Sequence, residues 1–340
     1  MADRVIHLME VCGTHTMEIA KAGIKTLLPP EIKLLSGPGC PVCVTPPEVI
    51  DAAIRLSEEP GVILTTYGDM MRVPGSVKGD NLALRRSRGA DVRMVYSAMD
   101  GLEIAKANPD REVVFLGVGF ETSAPGTAAA IQEAYAQGIN NFSVFSMLKM
   151  LEPSVRALAA DPEFNVQGLL CPGHVAVILG ETGLEFLPRD LGLPGVIAGF
   201  EPAEIMKAIA MLLKQIRAGE ARLENAYRSV VRPEGNPLAR ALMEEVLVPR
   251  TDIWRGLGVI PESGYGIAEK YARHDAEKKF DIRIGKATVK TACRCGDVIR
   301  GKLDPKDCPM FGRACVPEDP EGPCMVSAEG ACAAAYKYSV

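Results

Sequence analysis

The sequence predicts an α/β protein in which two parallel-sheet units come first and a small, irregular, cysteine-rich module follows. Three observations lead there. Up to about residue 220, short β-branched apolar runs alternate with helical patterns, the signature of parallel strands covered on both faces. Beyond it the alternation fades. Six of the ten cysteines then gather between Cys293 and Cys332, among prolines and glycines with little periodicity. In order, the strands are expected at Val5–Val11, Ile32–Leu35, Val62–Thr66, Val92–Tyr96, Val113–Val118, Phe142–Phe145, Gly168–Leu170 and Val196–Ala198. Amphipathic helices are expected at Pro47–Ser57, Gly126–Ala136 and Glu204–Arg217. Asn236 before Pro237 reads as a helix start, because proline suits the first helical position. Trp254–Tyr265 reads as glycine-rich and irregular. The divisions are set at 1–110, 111–228 and 229–340. The last module cannot build a core by apolar burial alone, so it needs a covalent or metal staple.

Composition excludes several functions. The 340 residues carry 38 Lys+Arg against 43 Asp+Glu, a net charge of −5, which leaves no basic footprint for nucleic acid. No apolar run reaches the ~18–20 residues of a membrane span, and the N-terminus lacks a basic-then-apolar signal pattern. A cytoplasmic protein is expected, with reduced thiols, so its clustered cysteines read as metal ligands or redox groups rather than disulfide staples.

The densest chemistry lies in Gly37-Pro38-Gly39-Cys40-Pro41-Val42-Cys43, which leaves a strand and leads into a helix. Thr45 with Glu48 reads as a capping box with Pro46 at the first helical position, so both thiols sit just before a helix N-terminus, where thiolate is favoured. Such a pair can form a disulfide reversibly, donate electrons or bind a soft metal. Cys12 closes the first strand in Val11-Cys12-Gly13-Thr14-His15. Thiolate beside imidazole suits iron, zinc or copper, and His15 is alternatively a base toward the thiol. A shared site of Cys12, Cys40 and Cys43 is expected. Asp69, Glu121 and Glu201 each follow a glycine at a strand end, where open α/β sheets bind ligands, although helix capping explains any one of them. His174 ends another strand, and Cys171 reads as buried.

In the tail, Cys293-x-Cys295 is followed by Cys308, Cys315, Cys324 and Cys332. Apart from the first pair, these gaps are too wide for the paired hairpins of structural zinc. They favour a 4Fe–4S cluster held from separate loops. Spacing leaves open which four of the six would bind.

Taken together, several motifs closely resemble the HypD family of NiFe-hydrogenase maturation factors. They are Cys12-Gly13-Thr14-His15, the Gly37–Cys43 loop, Tyr67-Gly68-Asp69 with Arg72-Val73-Pro74-Gly75, Gly119-Phe120-Glu121-Thr122, Pro172-Gly173-His174-Val175, Gly199-Phe200-Glu201-Pro202, Trp254–Gly258, Cys308–Gly312 and Met325–Cys332. The resemblance implies two Rossmann-like domains and an iron–sulfur domain. It implies a scaffold that, with the small chaperone HypC, holds an iron ion while cyanide and carbon monoxide ligands are attached. HypE would deliver cyanide, and the Fe(CN)2CO unit would pass to the hydrogenase large subunit. By matching positions, Cys12 is the iron-holding thiol, shared with a cysteine of HypC, and Cys40 and Cys43 are the redox pair. The family pattern C-x12-C-x6-C-x16-C falls on Cys295, Cys308, Cys315 and Cys332 and leaves out Cys293 and Cys324. His15 and Glu121 are then groups that orient ligands or move protons. The competing reading from the residues is a stand-alone iron–sulfur oxidoreductase acting on a small metabolite; a zinc-stapled binding module is a third.

Overall fold

The computed structural model describes residues 5–285 and 292–338. Eleven strands are described: β1 (Ile6–Glu10), β2 (Ile32–Ser36), β3 (Val62–Thr66), β4 (Val92–Met94), β5 (Glu112–Gly119), β6 (Phe142–Leu148), β7 (Gly168–Pro172), β8 (Gly195–Ala198), β9 (Leu223–Asn225), β10 (Leu247–Trp254) and β11 (Gly258–Ile267). Two parallel sheets result, one ordered β2-β1-β7-β8-β9 and the other β4-β3-β5-β6. The fold is therefore the expected α/β class. The sheets interleave along the chain rather than following one another at residue 110. The first combines strands from 6–36 and 168–225, and the second occupies 62–148.

Alternation along the strands builds the core. Leu8, Leu34, Leu170 and Val196 share one apolar cluster with Ile19, Ile24 and the buried side of the helix Pro202–Ala218. Their neighbours Met9, Leu169 and Ile197 turn to the opposite face of the first sheet. In the second sheet Ile63, Val113 and Phe115 face one side, while Leu64, Val114 and Leu116 face the other. The inner faces of both sheets, the Cys40–Cys43 segment and Cys295, Cys315, Cys324 and Cys332 share one continuous apolar cluster. The cysteine-rich module is thus packed onto the interface between the sheets.

Two local expectations change. The stretch around Trp254–Tyr265 is an antiparallel hairpin, β10–β11, whose period is broken by Gly256, Gly258 and a bulge between Arg250 and Asp252. It docks on the end of β6, where the Met150 N–H donates to the Ser263 carbonyl at 2.9 Å. The capping box is also absent. Thr45 Oγ1 donates to the Pro41 carbonyl (2.9 Å), Pro46 is the cap, and the helix starts at Pro47. Pro41–Val44 is itself a short helical turn, with Cys40 at its cap accepting from the Cys43 N–H at 3.1 Å. Asn236 does cap Pro237–Val246, as expected, accepting from the Ala239 N–H. Among the described residues no helix is long and apolar enough to cross a membrane.

Candidate metal and redox centre

Cys12 ends β1 in extended conformation and caps the helix Gly13–Lys21. Glu10 fixes this corner. It accepts from the Cys12 N–H (3.0 Å) and from Thr16 Oγ1 (2.5 Å), and burial pushes its carboxyl up to about 8, so it is largely protonated at neutral pH. The Gly37–Gly39 loop lies directly on the same corner. Gly37 N–H donates to the Glu10 carbonyl (2.8 Å) and Gly13 N–H to the Gly39 carbonyl (3.0 Å). A Cβ on Gly39 would sit 2.1 Å from the Cys12 nitrogen, so only glycine permits this approach. Cys12 therefore lies against Gly39, the residue before Cys40, although neither Cys40 nor Cys43 lines the crevice that Cys12 faces.

Cys40 and Cys43 form a disulfide with a Cα–Cα distance of 5.2 Å, and both are buried. In this state they are not metal ligands. Cys12 faces a crevice of about 170 Å³ lined also by Gly39 and Pro41, Phe120 and Thr122 from the second sheet, His174, and Glu329 from the tail. Burial pushes its thiol up to about 12, against help from the His15 backbone N–H. An incoming cation that displaces the thiol proton would turn Cys12 into a strong anionic ligand at the helix start.

His15 is placed differently from expectation. Its ring is fully buried, donates from Nε2 to the Gly199 carbonyl (2.9 Å) and lies against Phe200. Burial holds it down at about 4, so it is neutral; Nε2 serves the loop after β8, while Nδ1 is buried without a hydrogen-bond partner among the described residues. Phe200 also stacks on His174, at 4.0 Å between ring centres, and His174 is the histidine that does line the crevice. Glu121 faces away as well. One carboxylate oxygen accepts from the Leu151 N–H (2.9 Å), and the residue lines a separate cavity of about 750 Å³ with Tyr265, Arg156 and Arg240. Burial pushes its carboxyl up to about 7. Asp69 accepts from Ser327 Oγ, and Glu201 caps the helix Pro202–Ala218 with Glu204 as its reciprocal partner.

The structure adds Glu329, which carried no role in the sequence reading. Thr14 Oγ1 donates to its Oε1 (2.8 Å), and a Cβ on Gly13 would collide with its side chain at 2.5 Å. The segment that leads into Cys332 thus closes one wall of the Cys12 crevice. With Thr14 more than three hundred residues away in sequence, no local pattern announces this contact.

In the tail, Cys293, Cys295, Cys308, Cys315 and Cys332 line one small apolar cavity with Met310, Phe311 and Met325. Cys324 joins through a hydrogen bond with Cys295. Cys293 and Cys324, outside the spacing pattern, therefore sit with the other four. Hydrogen bonds from Cys293 and Cys324, and then the Arg255 charge, hold the Cys295 thiol well below its ordinary range. The Glu321 N–H donates to Cys315 Sγ at 3.4 Å. Among the described residues no three acidic, histidine or cysteine side chains are arranged to hold a single metal ion. Thiols converging on an apolar cavity, with N–H donors aimed at sulfur, fit the wider cage of a thiolate-held iron–sulfur cluster.

Comparison with known proteins shows the family. The family model for HypD, described as the hydrogenase formation hypA family, matches residues 1–339. The chain belongs to the HypD family. It is 45% identical to the hydrogenase maturation factor HypD of Rhodobacter capsulatus over 99% of this chain and 90% of that protein. It is 44% identical to the factors of the same name from Cupriavidus necator, over 98% of this chain and 89% of that protein, and from Escherichia coli K12, over 99% and 90%. Its role is in hydrogenase maturation.

Proposed function

We propose that this chain is the scaffold on which, together with HypC, an iron ion is held while cyanide and carbon monoxide ligands are attached. HypE is the cyanide donor, and the hydrogenase large subunit receives the Fe(CN)2CO unit. The observation that carries the reading is the packing of Gly39 on Cys12, which joins a single thiol and a dithiol at one corner of the fold. Cys12 supplies one thiolate to the iron, a soft ligand suited to a metal with strong-field carbon ligands. Cys12 is the one cysteine among the described residues that lines this crevice, which suits a second thiol supplied by HypC.

Cys40 and Cys43 interconvert between the disulfide and a dithiol, taking up two electrons and two protons on opening and releasing them on closing. Release of cyanide from a carrier-bound precursor is the reductive step this pair serves. The C-terminal cysteines would hold a 4Fe–4S cluster, which supplies electrons when bound. Cys295, Cys308, Cys315 and Cys332 are the proposed ligands; Cys293 lines the same cavity, and Cys324 reaches it through its hydrogen bond with Cys295. Glu10 and Thr16 fix the backbone of Cys12, and His174 and Glu329 line the crevice beside it.

The test is reconstitution with HypC and HypE. Cys40→Ala protein is expected to yield no cyanide bands in the infrared while still binding HypC. Full-intensity bands from that variant would remove the dithiol from the mechanism.

A further inference from the structure

Arg255 sits at the tip of the β10–β11 hairpin, between the two sulfur groups. Its backbone N–H donates to the Val44 carbonyl (2.8 Å) and its Nε to the Thr45 carbonyl (3.4 Å), the two residues that follow Cys43. Nη1 reaches Cys295 Sγ at 3.5 Å. The placement is fixed from both sides. Gly256, at φ +82°, packs so closely on Gly296 that a Cβ would lie 2.5 Å from the Gly296 Cα, which pins the hairpin tip to the helix beginning at Cys295. Gly322 leaves room on the other side. A Cβ there would meet Cys293 Sγ at 2.7 Å and Arg255 Nη1 at 3.6 Å.

Among the described residues Arg255 makes no ion pair with a carboxylate, whereas most other enclosed cations here do, Lys149 with Asp252 at 2.8 Å for one. The groups able to balance its charge are Cys295, Cys293 and Cys324. A poorly hydrated cation left without an anion is costly, so a guanidinium kept against sulfur implies that the sulfur group is anionic in the working protein. Arginine also suits the position because its planar fork holds two directions at once, here the Thr45 carbonyl and Cys295.

We propose that Arg255 is the counter-cation of the C-terminal sulfur site, raising the reduction potential of the group bound there and fixing that site against the segment leaving the Cys40–Cys43 pair. This rests on the reading of those cysteines as a cluster site. A thiolate-held cluster is net anionic and gains one more negative charge on reduction. A fixed cation beside it therefore stabilises the reduced form. Arg255 is a positioning residue, acting through Cys295.

The experiment is anaerobic reconstitution of the full chain, wild type, Arg255→Gln and Arg255→Lys. Iron and acid-labile sulfide are measured first, followed by a potentiometric titration with dithionite. Arg255→Gln is expected to lower the reduced-to-oxidised ratio at fixed potential about tenfold, or about 59 mV for a one-electron couple, with Arg255→Lys close to wild type. Failure of Arg255→Gln to assemble a cluster, with Arg255→Lys assembling one of near-wild-type potential, supports the same role for the charge. An unchanged potential in Arg255→Gln overturns the proposal and leaves the cluster reading intact. Equal shifts in both variants, or loss of the cluster from both, assign Arg255 a purely structural part and also overturn it. Wild-type protein that binds no iron and sulfide removes the cluster reading and this inference together.

Discussion

Gly39→Ala tests the junction on which the site depends. The new methyl group would lie 2.1 Å from the Cys12 nitrogen, 2.4 Å from the Val11 carbonyl carbon and 2.5 Å from the Cys12 Cα. Non-bonded heavy atoms settle near ~3.5 Å, so the loop or the strand end must retreat by roughly 1.4 Å. All the clashing atoms are backbone, and the bond from Gly13 N–H to the Gly39 carbonyl resists the movement. Overpacking costs ~1–3 kcal/mol, and loss of that hydrogen bond adds about 1 kcal/mol. The expected destabilisation is about 2–4 kcal/mol, read from denaturant unfolding, with Cys12 displaced from the dithiol. A displacement of about 1 Å at a reacting group is enough to lower maturation activity by ~100-fold. Gly126→Ala is the control. It lies in the helix Ala124–Ala136 with nothing within 4 Å of its Cβ, so the same change there should stabilise by about 0.5–1 kcal/mol. Gly39→Ala protein with wild-type stability and full activity would refute the claimed contact between loop and thiol.

Two further predictions concern buried groups. Glu121 is protonated in the folded state up to about pH 7 but ionised in the unfolded chain above about 4.5, so the wild type loses stability as pH rises between those values. Glu121→Gln removes that slope. Its stability relative to wild type should grow by about 1.4 kcal/mol per pH unit across the window and level off above it; a difference independent of pH would contradict the assignment. Cys171 is 1% exposed with its thiol pushed up to about 12, so alkylation of native, cluster-free protein should modify the half-buried Cys308 well before Cys171 in peptide mass spectra. Early labelling of Cys171 would show that β7 opens readily.

Much of this architecture was legible because parallel strands announce themselves. Val62–Thr66 and Phe142–Leu148 are buried on both faces and read as continuous apolar runs. The β10–β11 hairpin was hidden because Pro249, Gly256, Gly258 and Gly264 break the alternation that identifies antiparallel strands. Thr45 was misread because a threonine three residues before a glutamate satisfies the capping pattern on paper, while in the fold its hydroxyl turns back to Pro41. The meeting of Cys12 with the Gly37–Gly39 loop was legible from strand ends and glycines, since the two close adjacent strands β1 and β2. His15 and Glu121 were not. Each lies beside a motif residue in sequence, but its side chain turns into different surroundings, set by Gly199 in one case and Leu151 in the other. Spacing also could not reveal that Cys293 shares the cavity of the other four and that Cys324 bonds to Cys295, because irregular backbone decouples distance along the chain from distance in space.

The most direct measurement is infrared spectroscopy of the chain purified anaerobically with HypC, comparing wild type with Cys12→Ala. Cyanide and carbon monoxide stretches are expected in the wild-type complex. They should vanish, together with the bound mononuclear iron, in the variant, while the iron and sulfide of the tail remain. Undiminished stretches without the Cys12 thiol would place the iron elsewhere and contradict the account at its centre.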